Sequence, residues 1–353
     1  MNISNSTEPY IIGETAYNHE GDMKYLLQMI DDISDIGLQA VKFHLLLDID
    51  SYLQKDHPLR PTLQSWLFSK LEWETILDYA HEKKLDIIAL CDDIKSIRYI
   101  KSKKYISALE IHASGLNDWF LLTEAADFDR TILLGIGGSS IDEIRHAVDL
   151  LSSKKQKNVL LMYGFQNYPT SHVEINLSKM KKIRTLFNLP VGYADHTAFD
   201  DPYNEIISIG GAMMGFHILE KHYTLDFGKK RIDYHSAVGK EQMLRIKKLM
   251  SLALTVHGTG SLGMSQSELE YGNTGPMKKA IVAKKDIQKG EELSMDNLWF
   301  KRTEQESYIP QNHFLNILGL KAVRTIKKDE IITFEKVEYT FKKVDFSKII
   351  PGE

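Results

Sequence analysis

Two histidines close apolar runs that read as strands: His196 in Val191-Gly192-Tyr193-Ala194-Asp195-His196-Thr197, and His222 in Ile218-Leu219-Glu220-Lys221-His222-Tyr223-Thr224. Neutral imidazoles at two neighbouring strand ends can hold a divalent metal at one rim of a barrel. A metal there would act as a Lewis acid on an oxygen that gains negative charge. Residues two apart on a strand share a face, so Glu220 and His222 point together, while His217 and Lys221 point the other way. A lone strand histidine is more often structural, and His217 is read so. Glu14, on the first strand, is a carboxylate that is costly to bury without a task or a partner. It reads as a general acid or base, or as the ion-pair partner of Lys42, the inward residue of strand two between outward Val41 and Phe43. Asn18 and His19 follow Glu14 and read as loop architecture.

The elements that must position these groups alternate along the chain. Short apolar runs at Tyr10–Ala16, Ala40–Leu46, Asp86–Cys91, Ser107–Ala113, Thr131–Gly137, Asn158–Phe165, Pro190–His196 and Gly215–Thr224 read as eight strands. Between and after them, helix-period segments run over Met23–Ile36, Leu71–Lys83, Ile94–Lys103, from Ser139 onward, Asn176–Asn188 and Glu241–His257. Repeated strand–helix units predict a parallel sheet, and eight of them predict a closed (β/α)₈ TIM barrel. The stretch Asp48–Ser65, with Pro58 and Pro61, is long for a connection and reads as a functional loop or lid.

Length and charge bound the rest. The 353 residues suit a barrel of about 250 residues plus an appendage. The divisions are a barrel over 1–258, a Gly/Ser-rich linker over 259–277, a β-rich unit over 278–342 and a tail over 343–353. A weak repeat, Ala283-Lys284-Lys285-Asp286-Ile287 answered by Arg324-Thr325-Ile326-Lys327-Lys328-Asp329, marks the small unit. A net charge of −4 attracts neither nucleic acid nor an anionic membrane surface, so the expected partner is a small molecule. The single cysteine, Cys91, forms no internal disulfide and fits a reducing cytosol. With no apolar targeting segment in sight, the chain reads as a cytoplasmic protein.

Glu14 in Gly13-Glu14-Thr15-Ala16-Tyr17-Asn18-His19-Glu20-Gly21, Lys42, the Asp195-His196-Thr197 triplet, the run ending at His222 and the late Asn297-Leu298-Trp299-Phe300-Lys301-Arg302 occur in the order seen in the bacterial sialic acid synthase family, which the chain resembles over nearly its whole length. The resemblance implies a C-terminal antifreeze-like (SAF-type) domain and a domain-swapped homodimer. It implies condensation of phosphoenolpyruvate with an open-chain N-acyl amino sugar to a nine-carbon 2-keto acid, with Mn²⁺ or a similar metal (Mg²⁺ or Co²⁺) on His196 and His222. By the same resemblance Glu14 handles a proton or orients water, Lys42 contacts the phosphoenolpyruvate anion, and Tyr168, Asp233, Glu220 and Gln166 fall near the sugar. Arg302 would reach the active site of the partner subunit; a solvated surface arginine is its alternative.

The donor side departs from the family pattern. Asp92 and Asp93 follow strand three where a threonine is expected, and Glu110, with His112 two residues on, stands where a phosphate-binding lysine is expected. Ala194 replaces a serine and Gln166 an asparagine. An anion there would need compensation from Lys42, from the backbone amides of Gly137-Gly138-Ser139-Ser140 at a helix start, or from Lys101, Lys103 or Lys104. Two further readings therefore stand beside the synthase. One is a metal-dependent sugar aldolase, lyase or epimerase that does not use phosphoenolpyruvate, with Glu110 and His112 as acid/base groups. The other is a non-catalytic sugar-binding homologue.

Overall fold

The structure, a computed structural model, describes residues 8–154, 156, 158–167, 169–272, 278–305 and 307–338. The chain divides into two compact units, Met1–Thr259 and Gly260–Glu353.

Eight parallel strands of the first unit close into a barrel in chain order: β1 Tyr10–Glu14, β2 Ala40–Leu45, β3 Asp86–Cys91, β4 Ile106–Ile111, β5 Thr131–Gly135, β6 Val159–Tyr163, β7 Val191–Asp195 and β8 Ile218–His222. Alternation along each strand separates two cores. Inward residues such as Ile12, Ala40, Ile88, Ala108, Leu133 and Leu160 fill the barrel's interior. Outward residues such as Ile11, Val41, Phe43, Leu109 and Leu161 pack under the helices. The helix Met23–Ile36 shows how this covering works. Asp22 caps its start, Gly37 ends it at φ 72°, and Leu26, Met29, Ile30 and Ile33 are fully buried. Each such side chain contributes roughly 1.5–3 kcal/mol.

Register sets the site. Glu14 pairs with Lys42 on β2 and with His222 on β8. One row across three strands thus carries a carboxylate, an ammonium and an imidazole at the C-terminal rim.

Several boundaries differ from the sequence reading. β1 stops at Glu14, because Ala16 turns to φ 45°, and β8 starts at Ile218, because Gly215 turns at φ 82°. The segment read as an irregular lid contains two short helices, Ile49–Tyr52 and Arg60–Trp66, the second with Pro61 in its first turn, where proline's missing N–H costs nothing. No helix among the described residues is long and apolar enough to cross a membrane.

In the second unit, a helix over Gln266–Gly272 lies in the stretch read as linker, whose residues 273–277 are outside the described residues, as are 339–353. β9 Lys279–Ala283 and β10 Leu298–Arg302 pair antiparallel. Ile281, Ile287, Leu293, Leu298, Ile326 and Ile332 share its core. The two halves of the repeat meet there, Ile287 bridging Ile326 and Lys327 pairing with Asp286 at 2.9 Å.

Candidate active site

The C-terminal mouth of the barrel opens into a cavity of about 390 Å³. Its floor is a charge cluster. Lys42 Nζ lies 3.2 Å from Glu14 Oε1, 2.9 Å from Glu110 Oε1 and 2.8 Å from Glu220 Oε2, and all four side chains are buried. One ammonium cannot neutralise three carboxylates, and the cluster divides its charge unevenly. Burial alone would raise Glu14, but Lys42, His222 and His44 outweigh it and hold its carboxyl well below the usual range. Burial, with Glu14's charge, pushes Glu220 well above that range, and burial raises Glu110 against the pull of Lys42. Lys42 stays charged, because Glu110, Glu14 and Glu220 overcome its desolvation. Glu14 is thus paired to Lys42, and it also lines the cavity.

Beside the floor, the rings of His196 and His222 lie 5.1 Å apart, centroid to centroid. His196 is kept neutral, its pKa lowered to about 3 by burial first and then by His222. Its Nδ1 is buried with no partner, and Glu14 Oε2 stands 3.6 Å from His222 Nε2. An unprotonated imidazole with an unused buried nitrogen fits a divalent metal. No group of three or more His, Cys, Asp or Glu among the described residues is arranged to hold a metal. The two imidazoles of His196 and His222 are therefore the groups at the rim that could hold a metal.

A second layer braces these histidines. Asp195, adjacent to His196, accepts bonds from Lys221 (2.6 Å), Ser208 (2.6 Å), Thr197 Oγ1 (2.6 Å) and Tyr193 (3.0 Å). Lys221, adjacent to His222, is fully buried on the outward face that parity assigned to it. At the mouth, Gln166 donates to Asp233 at 2.9 Å, and both line the cavity. Asn18 donates to the Ile232 carbonyl at 2.8 Å and so fixes the loop that carries Asp233 at φ 60°. His19 is buried and stacks on Phe68.

The remaining positions singled out in the sequence fall as follows. His112 lines the cavity with its pKa lowered to about 4, by burial and then by His44, and its Nδ1 bonds Ser114. Asp92 is off the cavity wall, where burial pushes it up to about 6 against the pull of His44. Tyr168 lies outside the described residues. Arg302 is an exposed residue at the end of β10 in the second unit.

The compensating cations expected for an anion are placed elsewhere. Lys101, Lys103 and Lys104 precede β4, at its N-terminal end, whereas the cavity lies at the C-terminal ends. Lys101 pairs with Glu124 at 2.7 Å, and Lys103 pairs with Glu74. At the start of the helix Ile141–Ser153 a Ser140–Glu143 capping box ties up the Ser140 amide on a carboxylate, and the Ser139 amide bonds the Ile136 carbonyl. Only Gly137 and Gly138 of that stretch line the cavity.

One site residue was not singled out from the sequence. His44 Nε2 lies 2.8 Å from Glu14 Oε1, and this bond raises its pKa against burial. It stands two residues after Lys42, so the same parity that turned Lys42 inward would have found it.

The site sits in a chain with clear relatives. The model of the NeuB family matches residues 29–261 and that of the SAF domain residues 278–338. The N,N'-diacetyllegionaminic acid synthase of Campylobacter jejuni is 28% identical over 340 residues, covering 91% of this chain and 98% of that protein. Among solved structures, the putative spore coat polysaccharide biosynthesis protein E of Chromobacterium violaceum superposes with a TM-score of 0.80 at 19% identity, over 94% of this chain and 100% of that one. The N-acetylneuraminic acid synthetase of Leptospira borgpetersenii in complex with citrate gives 0.68 at 25% identity, over 74% and 90%.

Proposed function

The chain belongs to the NeuB family, and from that premise we propose that it is a sialic-acid-synthase-like enzyme that joins a three-carbon donor to the carbonyl carbon of an open-chain N-acyl amino sugar. The observation that carries the reading is the single row of Lys42, Glu14 and His222, with His196 beside it, at the rim of the barrel.

His196 and His222 would hold a divalent metal, Mn²⁺ by resemblance, which when bound supplies a Lewis acid for the sugar's carbonyl oxygen. Glu14, ionised and buried, accepts or returns a proton at the reacting centre. Gln166 and Asp233, already bonded to each other, present an amide and a carboxylate to the sugar's hydroxyls and acyl group. Tyr168 and Arg302 complete the sugar's surroundings by resemblance, Arg302 from the partner subunit of a domain-swapped homodimer in the cytoplasm. In the family's form of the reaction the donor is phosphoenolpyruvate. A second reading keeps the metal and the sugar and replaces that donor, in an aldolase-type or related reaction. What favours it is that all three close contacts of Lys42 go to carboxylates of the protein.

The test is a mass-resolved product assay with Mn²⁺, a panel of N-acyl hexosamines, and either phosphoenolpyruvate or pyruvate. A nine-carbon 2-keto acid is expected from at least one pair. His196→Ala and His222→Ala should each lower the metal retained after dialysis. Glu14→Gln should abolish product while leaving sugar binding in place. No product with any pair, from a folded and metallated sample, would move the chain to a non-catalytic sugar-binding role.

A further inference from the structure

An ammonium carries three N–H donors, and Lys42 directs its close contacts to Glu14, Glu110 and Glu220, which leaves little with which to hold an incoming anion. No other lysine or arginine is found among the described residues that line the cavity. The neighbouring helix start is capped by its own Glu143, and Lys101 and Lys103 are paired elsewhere. Against this, Glu110 has one oxygen on Lys42 and the other, Oε2, buried with no partner; the residue is 2% exposed and lines the cavity. A buried carboxylate oxygen without a donor is costly. It is satisfied by a ligand that brings an O–H.

Resting on the reading above, we propose that Glu110 sets donor choice by charge: the cavity accepts an unphosphorylated three-carbon 2-keto acid of the pyruvate class and turns away a phosphate ester. The enol of such an acid carries a hydroxyl at the oxygen that is phosphorylated in phosphoenolpyruvate. That hydroxyl donates to Glu110 Oε2, whereas a phosphate at the same oxygen brings negative charge against the acceptor oxygen of Glu110, with Lys42 already held by three carboxyl groups. The raised pKa of Glu110 suits a group that exchanges a proton with the ligand. The reaction then balances without a leaving group. The donor's methyl carbon gives up a proton to Glu14 while Glu110 gives one to the keto oxygen, which forms the enol, and the electron pair of the enol carbon forms the bond to the sugar's carbonyl carbon. The enol proton returns to Glu110 as the keto group re-forms, and the proton held by Glu14 passes to the sugar's carbonyl oxygen, which becomes a hydroxyl. Nothing is oxidised or reduced, and no phosphate is released.

Isothermal titration of the full-length, Mn²⁺-loaded protein with pyruvate, phosphoenolpyruvate and inorganic phosphate tests this. Wild type should bind pyruvate at least tenfold more tightly than phosphoenolpyruvate and show no heat with phosphate. Glu110→Gln should narrow that preference and Glu110→Lys should reverse it, each checked for folding by its circular dichroism. The proposal is overturned if wild type binds phosphoenolpyruvate as tightly as pyruvate, or if folded variants keep the wild-type preference. A sample that binds N-acetylmannosamine but neither donor overturns it too. If either variant fails to fold, the wild-type comparison alone decides. Loss of metal and sugar binding together would instead refute the sialic-acid-synthase-like reading itself.

Discussion

Replacing Lys42 by methionine removes the single ammonium inside a cage of three buried carboxylates while keeping most of the side chain's volume. The destabilisation is set by protonation. Glu14 owes its low pKa to Lys42 before any other charge, so without Lys42 at least one further carboxylate must take up a proton to remain buried. At pH 7 a carboxyl with an ordinary value near 4.3 lies about 2.7 units from protonation, and at about 1.4 kcal/mol per unit this costs about 4 kcal/mol. At pH 5 the same proton costs only about 1 kcal/mol. The sign follows from linkage: a group whose folded pKa is raised stabilises fully below its unfolded pKa and loses that contribution as pH rises through the folded value. Lys42→Met should therefore be about 4 kcal/mol less stable than wild type at pH 7, and about 1 kcal/mol less stable at pH 5. Urea unfolding at both pH values, followed by the fluorescence of the buried Trp73, measures the difference. A destabilisation below about 1 kcal/mol at pH 7, or one that does not change with pH, would refute the account of the cage.

Further outcomes follow from groups outside the cavity. Lys221→Met leaves Asp195 buried without its cation and should cost about 3–5 kcal/mol in urea unfolding. Lys221→Arg should recover only part of this, because the site is filled. In wild type, Asp195 is held down to about 2 by Lys221, Ser208 and Thr197 against the effect of burial. A depressed carboxyl stabilises above its unfolded pKa, so this contribution should disappear in an acid titration between about pH 4 and pH 2. Cys91 is fully buried with its thiol pushed well up, first by burial and then by Asp93 and Asp92. It should stay unlabelled by a thiol reagent in the native protein at pH 8 and react within the unfolding transition; labelling of the folded chain at the rate of a free thiol would contradict its placement.

Periodicity carried the fold a long way. Every strand of the barrel falls on an apolar run read from the sequence, because fully covered parallel strands need apolar residues on both faces. Period-two alternation placed Lys42 and Glu220 inward and Lys221 outward, which is where they lie. Strand ends were less legible, since the turns at Ala16 and Gly215 depend on backbone angles that the residue types only weakly announce. The electrostatics of the cavity were least legible. Glu110 was visible as an acid in an unexpected place, but that it would share one ammonium with Glu14 and Glu220 depends on four strands closing into a ring. The sequence does not say at which end of the barrel Lys101, Lys103 and Lys104 lie; strand direction puts them at the end opposite the cavity. His44 follows from the same period-two rule as Lys42, two residues earlier.

The turns after β5 and β6, with the end of β7, are built differently from the floor. A Cβ on Gly137 would lie 2.1 Å from the Gly164 carbonyl oxygen, and one on Gly164, at φ 140°, would lie 1.9 Å from that of Ala194. The turns after β5 and β6 and the end of strand β7 are therefore in backbone contact, and no side chain can be inserted at the two glycines without moving the main chain. Lys42, His44, Glu110 and His112, by contrast, face the cavity with side chains, so their chemistry can change without moving the main chain. The cavity thus combines a main-chain frame with a side-chain face, an asymmetry that favours evolvability. New chemistry can arise by substitutions on β2 and at the end of β4, most readily where the charge of the cage is kept balanced, while the close-packed main chain limits change at the two glycines.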